Sequence, residues 1–199
     1  VTAVPLRPRI VRSEPTVDPI AAERAATDLL RALGMDLTSE HLADTPRRMT
    51  DALLELTTPR EFDLTTFPND EGYDELVVVE DITVQSLCEH HMLPFVGTAH
   101  IGYLPGARIL GLSKFARMVE FHARRPQTQE RLTQNVANHL QEQLAPRGVG
   151  VVVEADHTCM SLRGARAPGA RTVTSTLLGQ LRDDPRSRAE FLSLTRSRA

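Results

Sequence analysis

Apolar residues recur at helical spacing twice near the start of the chain. Ala22, Ala26, Leu29, Leu30 and Leu33 share one face of a helix that Asp18-Pro19 opens, carboxylate as N-cap and proline in the first turn, and that Gly34 closes. Thr45-Pro46 repeats the opening, and Met49, Ala52, Leu53 and Leu56 form a second stripe. Residues 57–74, rich in Thr, Pro, Asp and Gly, read as loop. The pattern then shifts to that of strands. Leu76 to Val79 is a β-branched run, Ile82-Thr83-Val84-Gln85 alternates, and Phe95 to Leu104 forms a further strand that Pro105-Gly106 ends. Arg108 to Leu110 reads as a short return. Two helices follow, Ser113 to Ala123 and Gln127 to Leu144, the second with Leu132, Val136, Leu140 and Leu144 on one face. Val149 to Ala155 and Arg171 to Leu177 read as a hairpin pair, and a charged helix from Pro185 to Leu194 comes last.

Helices, two strands, two helices, two strands: this order predicts an α+β fold with an antiparallel sheet. Residues 1–17 mix Pro, Arg and Val without periodicity and read as a mobile arm. An N-terminal helical region over 18–72 and a catalytic domain over 73–199 complete the expected division.

Composition narrows the function. A hydrophobic content of 41%, a charged content of 25% and a net charge of -3 describe an ordinary globular chain without the basic field of a nucleic-acid binder, and with 4% aromatic residues stacking on bases has little support. No apolar run reaches the length of a membrane span. Residues 1–17 have arginines and prolines but no apolar h-region and do not read as a secretory signal, and two cysteines are too few for a disulfide scaffold, so a reducing cytoplasm is the expected compartment.

Both cysteines keep histidine company. Cys88-Glu89-His90-His91 and His157-Thr158-Cys159 place thiols and imidazoles together, the donors that zinc prefers. Cys88 and His91, three apart, converge on one ion if the chain turns there, and Cys159 arrives from a distant strand. Three protein ligands suit a catalytic metal; His90 or His157 as a fourth makes a closed site. Two buried thiols without a metal, or a disulfide between them, are the plainer alternatives. Histidines beside such an ion serve either as proton carriers or as supports that orient the ligands.

A second constellation carries positive charge. In GLSKFARMVEF, Ser113 reads as the N-cap of a helix whose first turn carries Lys114 and Arg117, where the helix dipole gives a cation no advantage. Arg48 sits in the first turn of the second helix, and Arg163 follows Cys159 by four residues. Several guanidinium groups with a lysine suit a polyphosphate.

Four strings together, Cys88-Glu89-His90-His91, Gly111-Leu112-Ser113-Lys114, Arg125-Pro126-Gln127 with Gln129-Glu130-Arg131-Leu132-Thr133, and His157-x-Cys159-Met160-x-x-Arg163-Gly164, closely resemble GTP cyclohydrolase I from about Thr45 onward. The resemblance implies zinc-dependent hydrolytic opening of the GTP imidazole ring at C8, release of formate, and rearrangement to 7,8-dihydroneopterin triphosphate. By position it implies Cys88, His91 and Cys159 as zinc ligands and His90 and His157 as catalytic histidines. Glu130 matches the carboxylate that anchors guanine, with Gln129 beside it, and Glu89 supports the zinc loop. Ser113, Lys114, Arg117 and Arg163 match triphosphate and ribose contacts, and Arg48 an arginine lent by a neighbouring subunit. The resemblance also implies the tunnelling fold, an antiparallel sheet with two helices on one face, assembled as a homodecamer of two stacked pentameric rings. Cytoplasmic tetrahydrofolate biosynthesis, one-carbon metabolism and allosteric control belong to the same set of expectations. A non-catalytic purine- or pterin-binding relative of the same fold is the competing reading.

Overall fold

A computed structural model describes residues 17–195, so the expected mobile arm, Val17 apart, lies outside the described residues. The described residues form two compact units divided between Leu53 and Leu54. The first contains α1 (Pro19–Ala32), and α2 (Thr45–Thr57) crosses the division. Asp18 caps α1 as expected, its Oδ1 accepting from the Ala21 N–H at 3.0 Å. The end of α1 turns on Gly34 at φ 82, where the N–H groups of Gly34 and Met35 donate to Arg31 O and Leu30 O. Only glycine takes that left-handed step without strain, and it satisfies carbonyls the helix leaves open.

In the second unit, β1 (Thr66–Pro68), β2 (Val77–Cys88), β3 (Pro94–Leu104) and β4 (Arg108–Leu110) precede α3 (Ser113–Ala123), β5 (Pro126–Gln127) and α4 (Gln129–Leu144). Then come β6 (Gly148–His157), α5 (Thr158–Ser161), β7 (Thr172–Gly179), α6 (Gln180–Asp183) and α7 (Pro185–Leu194). The main sheet has the order β5-β2-β3-β6-β7. It is antiparallel except for β5, whose two residues run parallel to the end of β2, Leu87 opposite Pro126 and Cys88 opposite Gln127.

The runs expected at Leu76–Val79 and Ile82–Gln85 are one strand. Val79 faces Ile101 and Ile82 faces Ala99, so β2 carries one extra residue there, a bulge that places Asp81 at φ 56. The segment read as loop contains β1, which pairs with β4 from Thr66 opposite Leu110 to Pro68 opposite Arg108. Two helix starts also differ from expectation. α4 begins two residues later than its periodicity suggests because Thr128 is the cap, accepting from the Arg131 N–H at 3.2 Å. Ser113 is not a cap: it lies inside α3, and Leu112 before it is already helical.

α3 and α4 cover one face of the sheet. Phe115, Met118, Val119 and Ala123 from α3, with Leu132, Val136, Ala137 and Leu140 from α4, pack in one core with Val84, Phe95, Ile101, Tyr103, Val149, Val151 and Val153. Each is nearly or fully buried, and a large apolar side chain so placed contributes roughly 1.5–3 kcal/mol. A smaller core lies on the opposite face, where Leu104, Val152, Leu177 and Leu181 surround Phe191 of α7. Gly102 and Gly150, side by side in β3 and β6, admit that ring: a Cβ on either stands 2.7 or 2.5 Å from it.

Candidate active site

The metal-type residues meet where β2 ends. Cys88 is buried at the last position of the strand, and the chain reverses at once. Met92, at φ 54, donates to Cys88 O at 2.8 Å, and the Cys88 N–H donates to Leu93 O at 2.8 Å. This tight turn brings the His90 and His91 rings back over the sulfur, with Nδ1 atoms 3.7 and 3.9 Å from Cys88 Sγ. β6, two strands away, ends at His157, and α5 starts there with Cys159 in its first turn.

Cys88, His91 and Cys159 offer ligand atoms that all lie within 4.8 Å of one another. His90, though nearer the sulfur, does not belong to that group. Both thiols are free. Burial first, and then the neighbouring Cys88, push the Cys159 thiol above its usual range, while Arg163 opposes the rise. A dication between two sulfurs and an imidazole reverses that balance, and a soft, borderline ion such as zinc fits this donor set.

The loop is braced from three sides. Arg131 on α4 holds Glu89 through two bonds, Nη1 to Oε2 at 2.6 Å and Nη2 to Oε1 at 3.3 Å. The Glu89 N–H donates to Gln127 O at 3.2 Å. Behind Cys88, Ser86 Oγ donates to Ala123 O at 2.6 Å, and the fully buried Gln127 amide donates to His122 O at 2.6 Å and to Ser86 Oγ at 3.2 Å. Nothing in the sequence marks Ser86, and Gln127 enters its chemical reading only within the string Arg125-Pro126-Gln127. Their role shows only when β5 is seen beside β2.

His157 is held on two sides. Phe95 stacks on its ring at 4.6 Å and 10°. Gln129, 1% exposed, accepts at Oε1 from His157 Nε2 at 2.8 Å. The Gln129 Nε2 donates to Val153 O, Thr172 O and Thr174 Oγ1 at 2.9–3.1 Å. Gln129 thus has both ends of its amide hydrogen-bonded inside the protein, and its oxygen holds the His157 ring. Burial lowers the His157 pKa, and the Glu130 and Asp156 carboxylates pull it back up. Glu130 is exposed in the first turn of α4 and has no ion pair among the described residues; Arg131 turns to Glu89 instead.

The cationic residues divide. Arg163 lies exposed just past α5, close enough to act on the Cys159 thiol. Ser113, Lys114 and Arg117 sit in the first turns of α3, whose other end reaches Ser86 beside the metal loop. Ten residues of helix separate Ser113 from Ala123, about 15 Å at 1.5 Å per residue. Arg48 lies in the first unit, where it donates to His41 O and pairs with Asp44.

Comparison with known proteins agrees with this geometry. Residues 22–196 match the GTP cyclohydrolase I family. "GTP cyclohydrolase 1" from Synechococcus sp. is 50% identical over 91% of this chain and 80% of the relative. "GTP cyclohydrolase 1" from Streptomyces avermitilis is 53% identical over 89% and 90%, and that from Rattus norvegicus 49% identical over 87% and 73%. This chain belongs to the GTP cyclohydrolase I family.

Proposed function

We propose that this enzyme hydrolyses GTP at C8 of guanine, releases formate and returns 7,8-dihydroneopterin triphosphate. One observation carries the reading: in a chain of this family, Cys88, His91 and Cys159 converge within 4.8 Å beside a histidine held by Gln129. The non-catalytic binding relative is not favoured, since every ligating position is filled and converges.

Cys88, His91 and Cys159 hold the metal, with zinc as the ion their donor set suits best. When bound, zinc supplies Lewis acidity that brings the pKa of a coordinated water to about 7, so that a nucleophile exists at neutral pH. The chain's own groups do the rest. Gln129 Oε1 can only accept, so His157 Nε2 carries a hydrogen and Nδ1 is the nitrogen left to exchange a proton with the purine. His90, exposed beside Cys88, serves as a second proton carrier in the ring-opening and reclosing steps. Glu130 reads the N1 and N2 donors of guanine, and adenine leaves that carboxylate unpaired. Glu89 keeps the loop in place through Arg131.

Ser113, Lys114, Arg117 and Arg163 take the triphosphate and ribose, and Arg48 comes from a neighbouring copy. The distance between the head of α3 and the metal loop supports a site shared between chains of a homo-oligomer, a decamer of two pentameric rings. Two long helices on one face of an antiparallel sheet support the tunnelling fold, with residues 73–199 as the catalytic domain. The product suits tetrahydrofolate biosynthesis in the cytoplasm.

The test is to incubate zinc-replete protein with GTP and assay both formate and the fluorescence of the oxidised pterin. Both products establish the reaction. Formate alone confines the enzyme to ring opening, and neither product, with zinc bound, overturns the reading.

A further inference from the structure

A second pair of histidines meets away from the metal loop. His122, in the last turn of α3, and His139, on α4, place Nε2 and Nδ1 2.8 Å apart. Phe121 stands edge-on to both rings, and Phe62 stacks on His139 at 5.9 Å, so the pair has an apolar backing. Its other side opens on a polar depression of about 260 Å³, lined by both histidines with Asn135, Asn138, Glu142 and Gln143.

We propose that His122, His139 and Glu142 form a second divalent-metal site, of two imidazoles and one carboxylate, that takes zinc or a neighbouring transition ion. Two nitrogens bound to one tetrahedral ion at 2.0–2.1 Å stand roughly 3.3 Å apart. The observed pair therefore opens by about half an ångström, which small side-chain rotations supply. Glu142 follows His139 by three residues, on the same side of α4; its exposed carboxylate does not stand with the two rings as the Cys88, His91 and Cys159 atoms stand together, and it reaches the ion by turning in from the surface. Burial above all, with His139 and Arg125 adding to it, holds the His122 pKa down to about 4, and burial lowers that of His139. Both rings are thus neutral at pH 7, the state that ligates.

Two features oppose the ion. Arg125, whose guanidinium lies over the Phe121 ring at 5.4 Å, brings a positive charge near His122. His122 Nδ1 is buried without a partner, so ligation through Nε2 leaves an N–H unpaired. Together they place the affinity of this site below that of a thiolate site.

The test starts from holoenzyme with one metal equivalent in place and titrates cobalt(II), following visible spectra and equilibrium dialysis. The expected result is a second equivalent with bands of nitrogen and oxygen ligation and no thiolate charge transfer. His122→Phe and His139→Phe abolish it while formate release persists, and Glu142→Gln, on the surface, weakens it about tenfold. No second equivalent up to a millimolar excess overturns the proposal. So does a second equivalent that survives in either histidine variant or is unchanged in Glu142→Gln. Thiolate bands and formate release report the first site separately, so a failure there is not mistaken for a failure here.

Discussion

Gln129 Oε1 and His157 Nε2 lie 2.8 Å apart, and the glutamine cannot turn over. A flip sets its oxygen against the carbonyls of Val153 and Thr172, which its Nε2 now serves. The sheet thereby dictates which imidazole nitrogen carries hydrogen. Gln129→Met is expected to lower kcat for GTP by roughly 10- to 100-fold with KM changed little, because it frees the tautomer without touching substrate. Steady-state kinetics decides: a raised KM at normal kcat returns Gln129 to the substrate contacts.

Cys159→Ala removes one of two sulfurs from a three-ligand site. Zinc content after dialysis is expected to fall from stoichiometric to near zero, with formate release lost in parallel. A chelator acting on the unaltered enzyme gives the same loss, and added zinc reverses it. Stoichiometric zinc in the variant removes Cys159 from the ligands.

Arg131 and Glu89 are partly exposed, so their pairing adds at most about 1 kcal/mol to stability. Its consequence lies in the loop that carries Cys88 and His91. Arg131→Leu is expected to leave Tm within a few degrees of normal but to weaken zinc retention about tenfold. Metal competition with a chromogenic chelator measures this, and unchanged retention limits the pair to the surface.

His122 supplies a pH dependence with a definite sign. Its folded pKa, near 4, lies below the unfolded value of 6.5, so the unfolded chain binds more protons between these limits. Stability is therefore highest above pH 6.5 and falls as pH drops toward 4. His122→Phe, which removes the group, is expected to lose less Tm over that interval than the unaltered protein. Equal losses in both show that His122 does not contribute.

Phe191 fills the smaller core alone among aromatic residues. Phe191→Ala is expected to cost about 3–5 kcal/mol, and Gly150→Ala about 1–3 kcal/mol by forcing the ring away. Urea midpoints check both, and a change within 0.5 kcal/mol at either position contradicts this packing.

Much of this architecture is legible from periodicity and punctuation. The stripe of α4, the punctuation at Asp18 and Gly34, and the alternation in β2 are local signals that tertiary packing reinforces. The elements that escape are those made by distant partners. β1 exists because Arg108–Leu110 lies beside it, and β5 because the end of β2 accepts two residues. At the site, thiol and imidazole chemistry points to Cys88, His91 and Cys159 with His90 or His157 open as a fourth ligand, and the first three are the ones whose ligand atoms converge within 4.8 Å. Gln129 shows what sequence does not separate: a glutamine in the first turn of α4 looks alike whether its amide faces a ligand or the sheet. Only burial and the acceptors around Nε2 distinguish the two.

The glycine-lined slot for Phe191 also orders events in time. Gly102 and Gly150 leave a bare strip of sheet backbone with Leu76 at its edge, and the ring that covers it is synthesised after every strand. The helix-covered core, complete by residue 155 apart from the partly buried Cys159 and Leu178 at its margin, has its parts on hand well before then. Sealing the second face of the sheet therefore waits on α7, whatever the order in which the rest folds.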